Sequence, residues 1–276
     1  MVVPYLREHP ILLYAEGPAT KKYARHLERV LVVDPLPASA RLLQELLKDL
    51  GGRYIRVEAT LKGAMSAARD DDPQIIFTEL TGPMLDGLDF VRQLRRSDLG
   101  CRQAPVIMVT GEATASSIIG ARDAGVHEFL RKPFTIKDLV RRLDAVTLKS
   151  RDWVEAVRYI GPDRRRFNSG DYQGPRKRKS DQMVTPAAGR IEQAVRILRS
   201  AVGALETDPR QALRSMLAQA ADLSAVANAI GDAKLAAAAQ RLKSTLDAQV
   251  AAGRLSRPEV EAGCVALWHW LPADAA

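Results

Sequence analysis

The feature that most constrains this 276-residue chain is an alternation filling residues 29–149, in which five short apolar runs are each followed by a stretch of helical spacing. Val30–Val33, Tyr54–Glu58, Ile75–Thr78, Val106–Thr110 and Val126–Leu130 read as strands. Ser39–Leu50, with apolar residues at 42, 43, 46, 47 and 50, reads as the first helix. Leu61–Arg69, Leu88–Arg96, Thr114–Ala124 and Ile136–Lys149 follow as the other four. Gly51-Gly52 and Asp70-Asp71-Asp72-Pro73 break the pattern where turns are needed. Short crossovers of this kind make successive strands parallel, with helices on both faces. The expected fold class is α/β, a doubly wound five-stranded parallel sheet.

Reactive groups in such sheets gather at the carboxyl ends of the strands. Those ends carry Asp34, Glu79, Thr110 and, just after the fifth strand, Lys132-Pro133. The third run continues as Glu79-Leu80-Thr81-Gly82-Pro83-Met84-Leu85-Asp86-Gly87. An acid on the first strand, an acid on the third, a hydroxyl on the fourth and a lysine after the fifth resemble, in order and spacing, the response-regulator receiver family. The resemblance covers residues 29–149 and implies strand order 2-1-3-4-5. It also implies a role in bacterial two-component or phosphorelay signalling. Receivers accept a phosphoryl group on a third-strand aspartate, with Mg²⁺ held by that carboxylate and an acidic pair after the first strand. Thr110 and Phe129 hold the positions that couple phosphorylation to the family's outer surface.

Two departures touch that chemistry. Pro35 follows Asp34 where the family usually has a second acid, and proline offers no side-chain oxygen to a metal that wants octahedral oxygen ligands. Mg²⁺ binding is therefore doubtful, and no other cofactor is suggested. Glu79 stands where the family has aspartate, and its extra methylene moves the carboxylate by roughly 1.5 Å. A misplacement of about 1 Å can cost an in-line transfer on the order of a hundredfold. From its longer reach Glu79 could pair with Lys132 and accept a hydrogen bond from Thr110, imitating a phosphorylated site. A silent site, a constitutive mimic and residual phosphorylation are all open at this point. Asp86 and Gly87 need only cap a helix and permit its entry.

Outside this region the composition narrows the choices. Cys101 and Cys264 lie far apart without a CxxC pattern, so neither a disulfide framework nor a zinc site is suggested. No apolar run approaches the roughly 18 residues of a membrane span, and no signal peptide is evident, so a reducing cytoplasm is expected. The net charge of +8 is uneven. Residues 151–180 carry 9 basic against 4 acidic side chains, whereas residues 181–276 carry 10 of each. Within that basic segment Tyr159-Ile-Gly-Pro-Asp-Arg164-Arg165-Arg166 is echoed by Tyr172-Gln-Gly-Pro-Arg-Lys177-Arg178-Lys179. Glycine and proline are expected to keep both copies out of helix and strand. The repeated register suggests a docking segment for an acidic surface, through Tyr159, Arg164, Arg165, Arg166, Tyr172, Lys177, Arg178 and Lys179; nucleic acid and a membrane surface are the alternatives.

Residues 185–276 are alanine-rich. Ile191–Leu205, Arg210–Ala229, Lys234–Val250 and Pro258–Leu271 have helical spacing, so an all-α bundle with small side chains at its helix contacts is expected. Around Ala220–Gly231 the sequence is similar to a histidine-phosphotransfer domain, with Ala221 at the histidine position and Ser224 and Ala225 in place of a lysine and a glycine. A helix-turn-helix with Ala233–Leu242 as its recognition helix is the competing reading, but base readout needs several groove-reaching side chains. Lys234, Gln240, Arg241 and Lys243 are the main ones available. His9, His26, His127 and His269 form no motif, and His127 reads as a structural histidine within a strand.

The expected organisation is an N-terminal extension (1–28), a receiver-like domain (29–149), a basic linker (150–184) and a helical bundle (185–276). The function this implies is a non-enzymatic signalling adaptor that binds a histidine kinase, a phosphotransfer protein or a response regulator. A DNA-binding regulator is the alternative. Self-association is a further option that the receiver resemblance implies, through the face bearing Ile118, Ile119 and Val140.

Overall fold

The structure, a computed structural model, describes residues 22–149, 151–164 and 185–271. The chain divides into two compact units, Met1–Trp153 and Val154–Ala276.

In the first unit β1 (Arg29–Val33), β2 (Tyr54–Glu58), β3 (Ile75–Thr78), β6 (Val106–Thr110) and β7 (Glu128–Arg131) form one sheet in the order β2-β1-β3-β6-β7. Every pairing in it is parallel, so by main-sheet strands the order is 2-1-3-4-5, as expected. A two-stranded antiparallel hairpin, β4 (Thr81–Gly82) with β5 (Leu85–Asp86), interrupts the crossover after β3. Its strands are two residues long and carry no periodicity, which is why the sequence does not announce them.

The helices of this unit are α1 (Pro37–Asp49), α2 (Leu61–Asp71), α3 (Gly87–Arg96), α4 (Ala115–Ala124) and α5 (Ile136–Thr147). Alternation along each strand sorts side chains to two cores. Leu31, Val33, Ile76, Val106 and Met108 pack with Ala64, Ala67, Phe90, Leu94 and Ala121 of α2, α3 and α4. Val30, Val32, Ile75, Phe77, Ile107 and Val109 face the other way, onto Leu43 and Leu47 of α1 and Leu139 and Leu143 of α5. Burial on both faces is why the central strands read as unbroken apolar runs. Thr60, Asp86 and Thr114 cap α2, α3 and α4, and Thr135 with Asp138 forms a capping box on α5.

The strand expected at Val126 begins two residues later. Gly125 ends α4 in the left-handed region (φ 94°), and Val126 N–H returns to Ala121 O, so residues 125–127 complete the turn first. His127 therefore sits at the entry of β7. Its Nδ1 accepts the Val106 N–H at 3.2 Å, which leaves the ring neutral with its proton on Nε2. Beside it Arg95 is 1 % exposed. Its guanidinium donates to Gly125 O at 3.2 and 3.0 Å, to Arg102 O at 2.6 Å and to Ala104 O at 2.9 Å. One buried cation thus satisfies three loop carbonyls that no ladder reaches.

The second unit holds α6 (Pro186–Gly203), α7 (Pro209–Ile230), α8 (Ala233–Ala251), α9 (Arg257–Cys264) and a 3₁₀ turn at Val265–Trp270. Leu198, Met216, Leu223, Leu235, Leu242, Leu246 and Leu267 are fully buried, interleaved with Ala194, Ala201, Ala212, Ala220, Ala227, Ala238 and Ala239. The expected all-α bundle is present. Part of the expected linker, however, is strand. Trp153–Glu155 (β8) and Ile160–Pro162 (β9) make a two-stranded sheet. The buried Tyr159 donates its hydroxyl to Pro162 O at 2.6 Å. Pro162 ends its strand, where a missing N–H costs no ladder bond. Gln211 Nε2 reaches the Glu155 carboxylate at 3.0 Å and Gln219 Nε2 the Glu155 carbonyl at 3.1 Å.

Replacing Arg95 by Leu is expected to lower unfolding stability by about 3 kcal/mol, because several buried carbonyls lose their donor; urea denaturation measures this. Burial, then the charges of Arg95 and Arg151, hold the His127 pKa well below its ordinary 6.5. Folding therefore favours neutral His127, and its contribution is complete above pH 6.5 and declines as the pH falls below that value. The acid-side loss of stability is expected to be shallower in His127→Gln than in the native chain.

Candidate functional site

Three side chains meet at the carboxyl edge of the sheet. Asp34 N–H bonds Glu58 O at 2.9 Å and Glu79 N–H bonds Val33 O at 2.8 Å, so both acids continue the backbone ladder just past their strands. Lys132 N–H bonds Thr110 O at 2.8 Å and holds the third residue in line; its peptide bond to Pro133 is cis. From there the Lys132 ammonium donates to Glu79 Oε2 at 2.7 Å and to Asp34 Oδ2 at 2.8 Å. These are charge-assisted distances.

The remaining carboxylate oxygens are engaged too. Glu79 Oε1 accepts its neighbour's Leu80 N–H at 2.8 Å. Asp34 Oδ1 accepts the Leu36 N–H at 2.9 Å, and Ser39 Oγ donates to Asp34 Oδ2 at 2.6 Å. Asp34 is 5 % and Glu79 8 % exposed. Burial opposes the Lys132 charge, but its hydrogen bonds to Asp34 and Glu79 and their negative charges outweigh that and raise its pKa above the ordinary lysine value. One cation faces two anions, so the pocket carries a net negative charge.

Thr110 lies on the adjacent strand end, but its hydroxyl accepts the Glu112 N–H at 3.1 Å. The expected hydrogen bond from Thr110 to Glu79 is not formed; the Glu79 oxygens accept from Leu80 N–H and Lys132 instead. Phe129 is half-buried on β7 against the core that contains Leu31 and Met108. Asp86 caps α3 through Asp89 N–H at 3.0 Å. Gly87 is required by close approach: a Cβ there would meet Glu79 O at 2.0 Å.

Sequence reasoning missed Ser39, which it placed at the start of a helix. The helix begins two residues earlier, at Pro37, and this sets Ser39 in the first turn facing back to Asp34. It also missed the Leu80 backbone donor, which no side-chain pattern can reveal.

Of the suggested docking residues, Tyr159 is buried and serves the β8–β9 hairpin, and the Arg164 guanidinium lies 4.1 Å from its ring centroid. That burial corrects the expectation of a free aromatic at this copy. Arg165, Arg166, Tyr172, Lys177, Arg178 and Lys179 lie outside the described residues. On α7 Ala221 and Ala225 are exposed and Ser224 is half-buried. Lys234, Gln240, Arg241 and Lys243 are exposed on α8, which spans Ala233–Ala251, close to the expected Lys234–Val250 and nine residues longer than the competing recognition helix Ala233–Leu242. No helix among the described residues is long and apolar enough to cross a membrane.

A family model described as the response regulator receiver domain matches residues 30–144. Chemotaxis protein CheY-3 of Vibrio cholerae serotype O1 is 30% identical over 118 residues, which cover 43% of this chain and 90% of that protein. The KDP operon transcriptional regulatory protein KdpE of Escherichia coli is 34% identical over 117 residues, 42% of this chain and 50% of that protein. The sensor protein GacS of Pseudomonas syringae pv. syringae is 28% identical over 189 residues, 67% of this chain and 20% of that protein. That last similarity covers 67% of this chain, more than residues 1–144 hold, and so extends past the end of the family-matched stretch. Among solved structures, Vibrio cholerae CheY4 is similar at a TM-score of 0.41 with 23% identity, covering 44% of this chain and 98% of that one.

Lys132→Met is expected to destabilise the protein by about 2–3 kcal/mol by chemical denaturation. This is below the full cost of an orphaned buried charge, because 21% of the lysine side chain meets solvent. Lys132→Met/Glu79→Gln should recover part of the loss, since it removes one of the two facing charges.

Proposed function

The chain belongs to the response-regulator receiver family, and on that premise we propose that it is a pseudo-receiver: a non-catalytic adaptor of two-component or phosphorelay signalling that acts by protein–protein binding without phosphorylation. The observation that carries this reading is the state of Glu79. Its two oxygens are held by Lys132 and Leu80 N–H, which fixes the carboxylate's orientation and lowers its nucleophilicity towards an incoming phosphorus. In-line attack needs the nucleophilic oxygen free and aligned within a few tenths of an ångström.

The donor set does not fit a resident Mg²⁺. The ion takes near-octahedral oxygen ligands, whereas Pro35 supplies none and the Asp34 and Glu79 carboxylates already flank an ammonium. Among the described residues no group of three or more His, Cys, Asp and Glu side chains is placed to hold a metal. Thr110 and Phe129 keep their strand-end and half-buried positions, but the Thr110 hydroxyl faces Glu112 rather than Glu79. This favours a silent site over a constitutive mimic, since a mimic needs the hydroxyl drawn to the acid.

The helical unit fits the same reading. Ala221 offers no nucleophile, so an exposed α7 face bearing Ala221 and Ala225 can bind but not carry a phosphoryl group. The partners this implies are a histidine kinase, a phosphotransfer protein or a response regulator, met in the reducing interior of the cell.

Intact-protein mass spectrometry after incubation with acetyl phosphate and Mg²⁺ tests the reading. The native chain is expected to stay unmodified, while Pro35→Asp/Glu79→Asp gains one phosphoryl group. A Mg²⁺-dependent adduct on the native chain that maps to Glu79 would overturn it.

A further inference from the structure

Pro35 and Gly82 approach closely in the loops that follow the two acid-bearing strands. Pro35 directly follows Asp34 at the end of β1, and Gly82 lies in the hairpin three residues after Glu79, which follows β3. Those two strands are paired neighbours. A Cβ at position 82 would lie 2.3 Å from Pro35 Cγ, 3.3 Å from its Cβ and 3.4 Å from its Cδ. The obstacle is a closed ring with its backbone φ fixed. Gly82 in turn is held by its pairing with Leu85 in the β4–β5 hairpin. Neither side can move aside cheaply, so only glycine fits beneath this proline. Gly82 has no other feature that demands glycine: its φ is not among the positive ones.

The contact joins the loops that leave the two acid-bearing strands. Next to it lie Asp34 at 5 % and Glu79 at 8 % exposure. We propose that Pro35 and Gly82 form a clasp that ties these loops together over the buried Asp34 and Glu79 carboxylates and restricts the approach of small anionic donors to them, leaving only the Lys132 side of the triad in contact with solvent. This rests on the silent-site reading and supplies its steric half: Glu79 is not only ion-paired but shielded. Covering the two carboxylates lowers the local dielectric and strengthens the pairs to Lys132. An acyl phosphate that reached past the partly exposed Lys132 would still meet a net negative charge and a covered Glu79. Gly82 is then the position that allows Pro35 to replace an acidic side chain without disrupting the hairpin.

The test combines a double-mutant cycle with lysine footprinting on the full chain. Gly82→Ala should lower the urea midpoint, and Pro35→Ala/Gly82→Ala should return it to that of Pro35→Ala alone. In Pro35→Ala, which removes the ring atoms facing position 82, frees φ and restores a backbone N–H, acetylation of Lys132 by an N-hydroxysuccinimide ester should run several-fold faster than in the native chain. Exposed Lys48 and Lys234 should be modified at unchanged rates and serve as internal standards. Additive midpoint shifts, or an unchanged Lys132 rate, would overturn the clasp. Neither readout involves phosphoryl transfer. Additivity would thus remove the clasp and leave the silent site standing, whereas an adduct on Glu79 would remove the silent site and leave the Pro35–Gly82 coupling intact.

Discussion

A single ammonium group, that of Lys132, stands between two buried carboxylates, and the arrangement of the sheet's carboxyl edge depends on it. Without that cation, Asp34 and Glu79 would face each other at low exposure with Leu36 N–H, Leu80 N–H and Ser39 Oγ as their hydrogen-bond donors. Two like charges brought that close out of water are strongly unfavourable. With it, each carboxylate has an opposite charge within 3 Å. The raised Lys132 pKa means this pairing is complete below pH 10.5 and is lost only as the pH climbs through the higher folded value.

The rest of the receiver unit can be understood as what brings three distant residues to one point. Parallel pairing of β1 with β3 sets Asp34 beside Glu79, and β6 with β7 delivers Thr110 and Lys132 next to them. At the opposite end of the same strands, Arg95 ties down loop carbonyls and His127 stays neutral against it. The pocket end therefore concentrates charge, and the other end is closed by hydrogen bonds to backbone. An acid one methylene longer than aspartate is accommodated because its extra reach ends on Lys132. The consequence is functional: the side chain that would have to attack a donor is already committed to the fold.

Much of this was legible in the sequence, for physical reasons. Both faces of the central strands are buried, so Ile75–Thr78 and Val106–Thr110 are apolar up to their closing threonines, and their bounds follow directly. The site residues were found because the topology itself places strand ends together, so Asp34, Glu79 and Lys132 needed only their order along the chain. What could not be read depended on backbone. The β4–β5 hairpin is too short for periodicity, and the Gly82–Pro35 contact pairs residues 47 positions apart with no chemical signature. The burial of Tyr159 is hidden because glycine and proline next to an aromatic suggest exposed chain, yet Ile160–Pro162 forms a buried strand and the tyrosine just before it donates to the carbonyl of Pro162. Arg95 was hidden by a general expectation that charged helix residues face solvent.

The central claim, that Glu79 is bound in place and blind to a phosphodonor, is tested most directly by backbone amide NMR during titration with Mg²⁺ and beryllofluoride, a phosphoryl mimic. The account predicts that the amides of Leu80, Thr110 and Phe129 stay where they are while salt-dependent surface amides drift. Saturable shifts of those three together would mean that the pocket opens, takes the ligand and moves the switch residues, and would contradict the account.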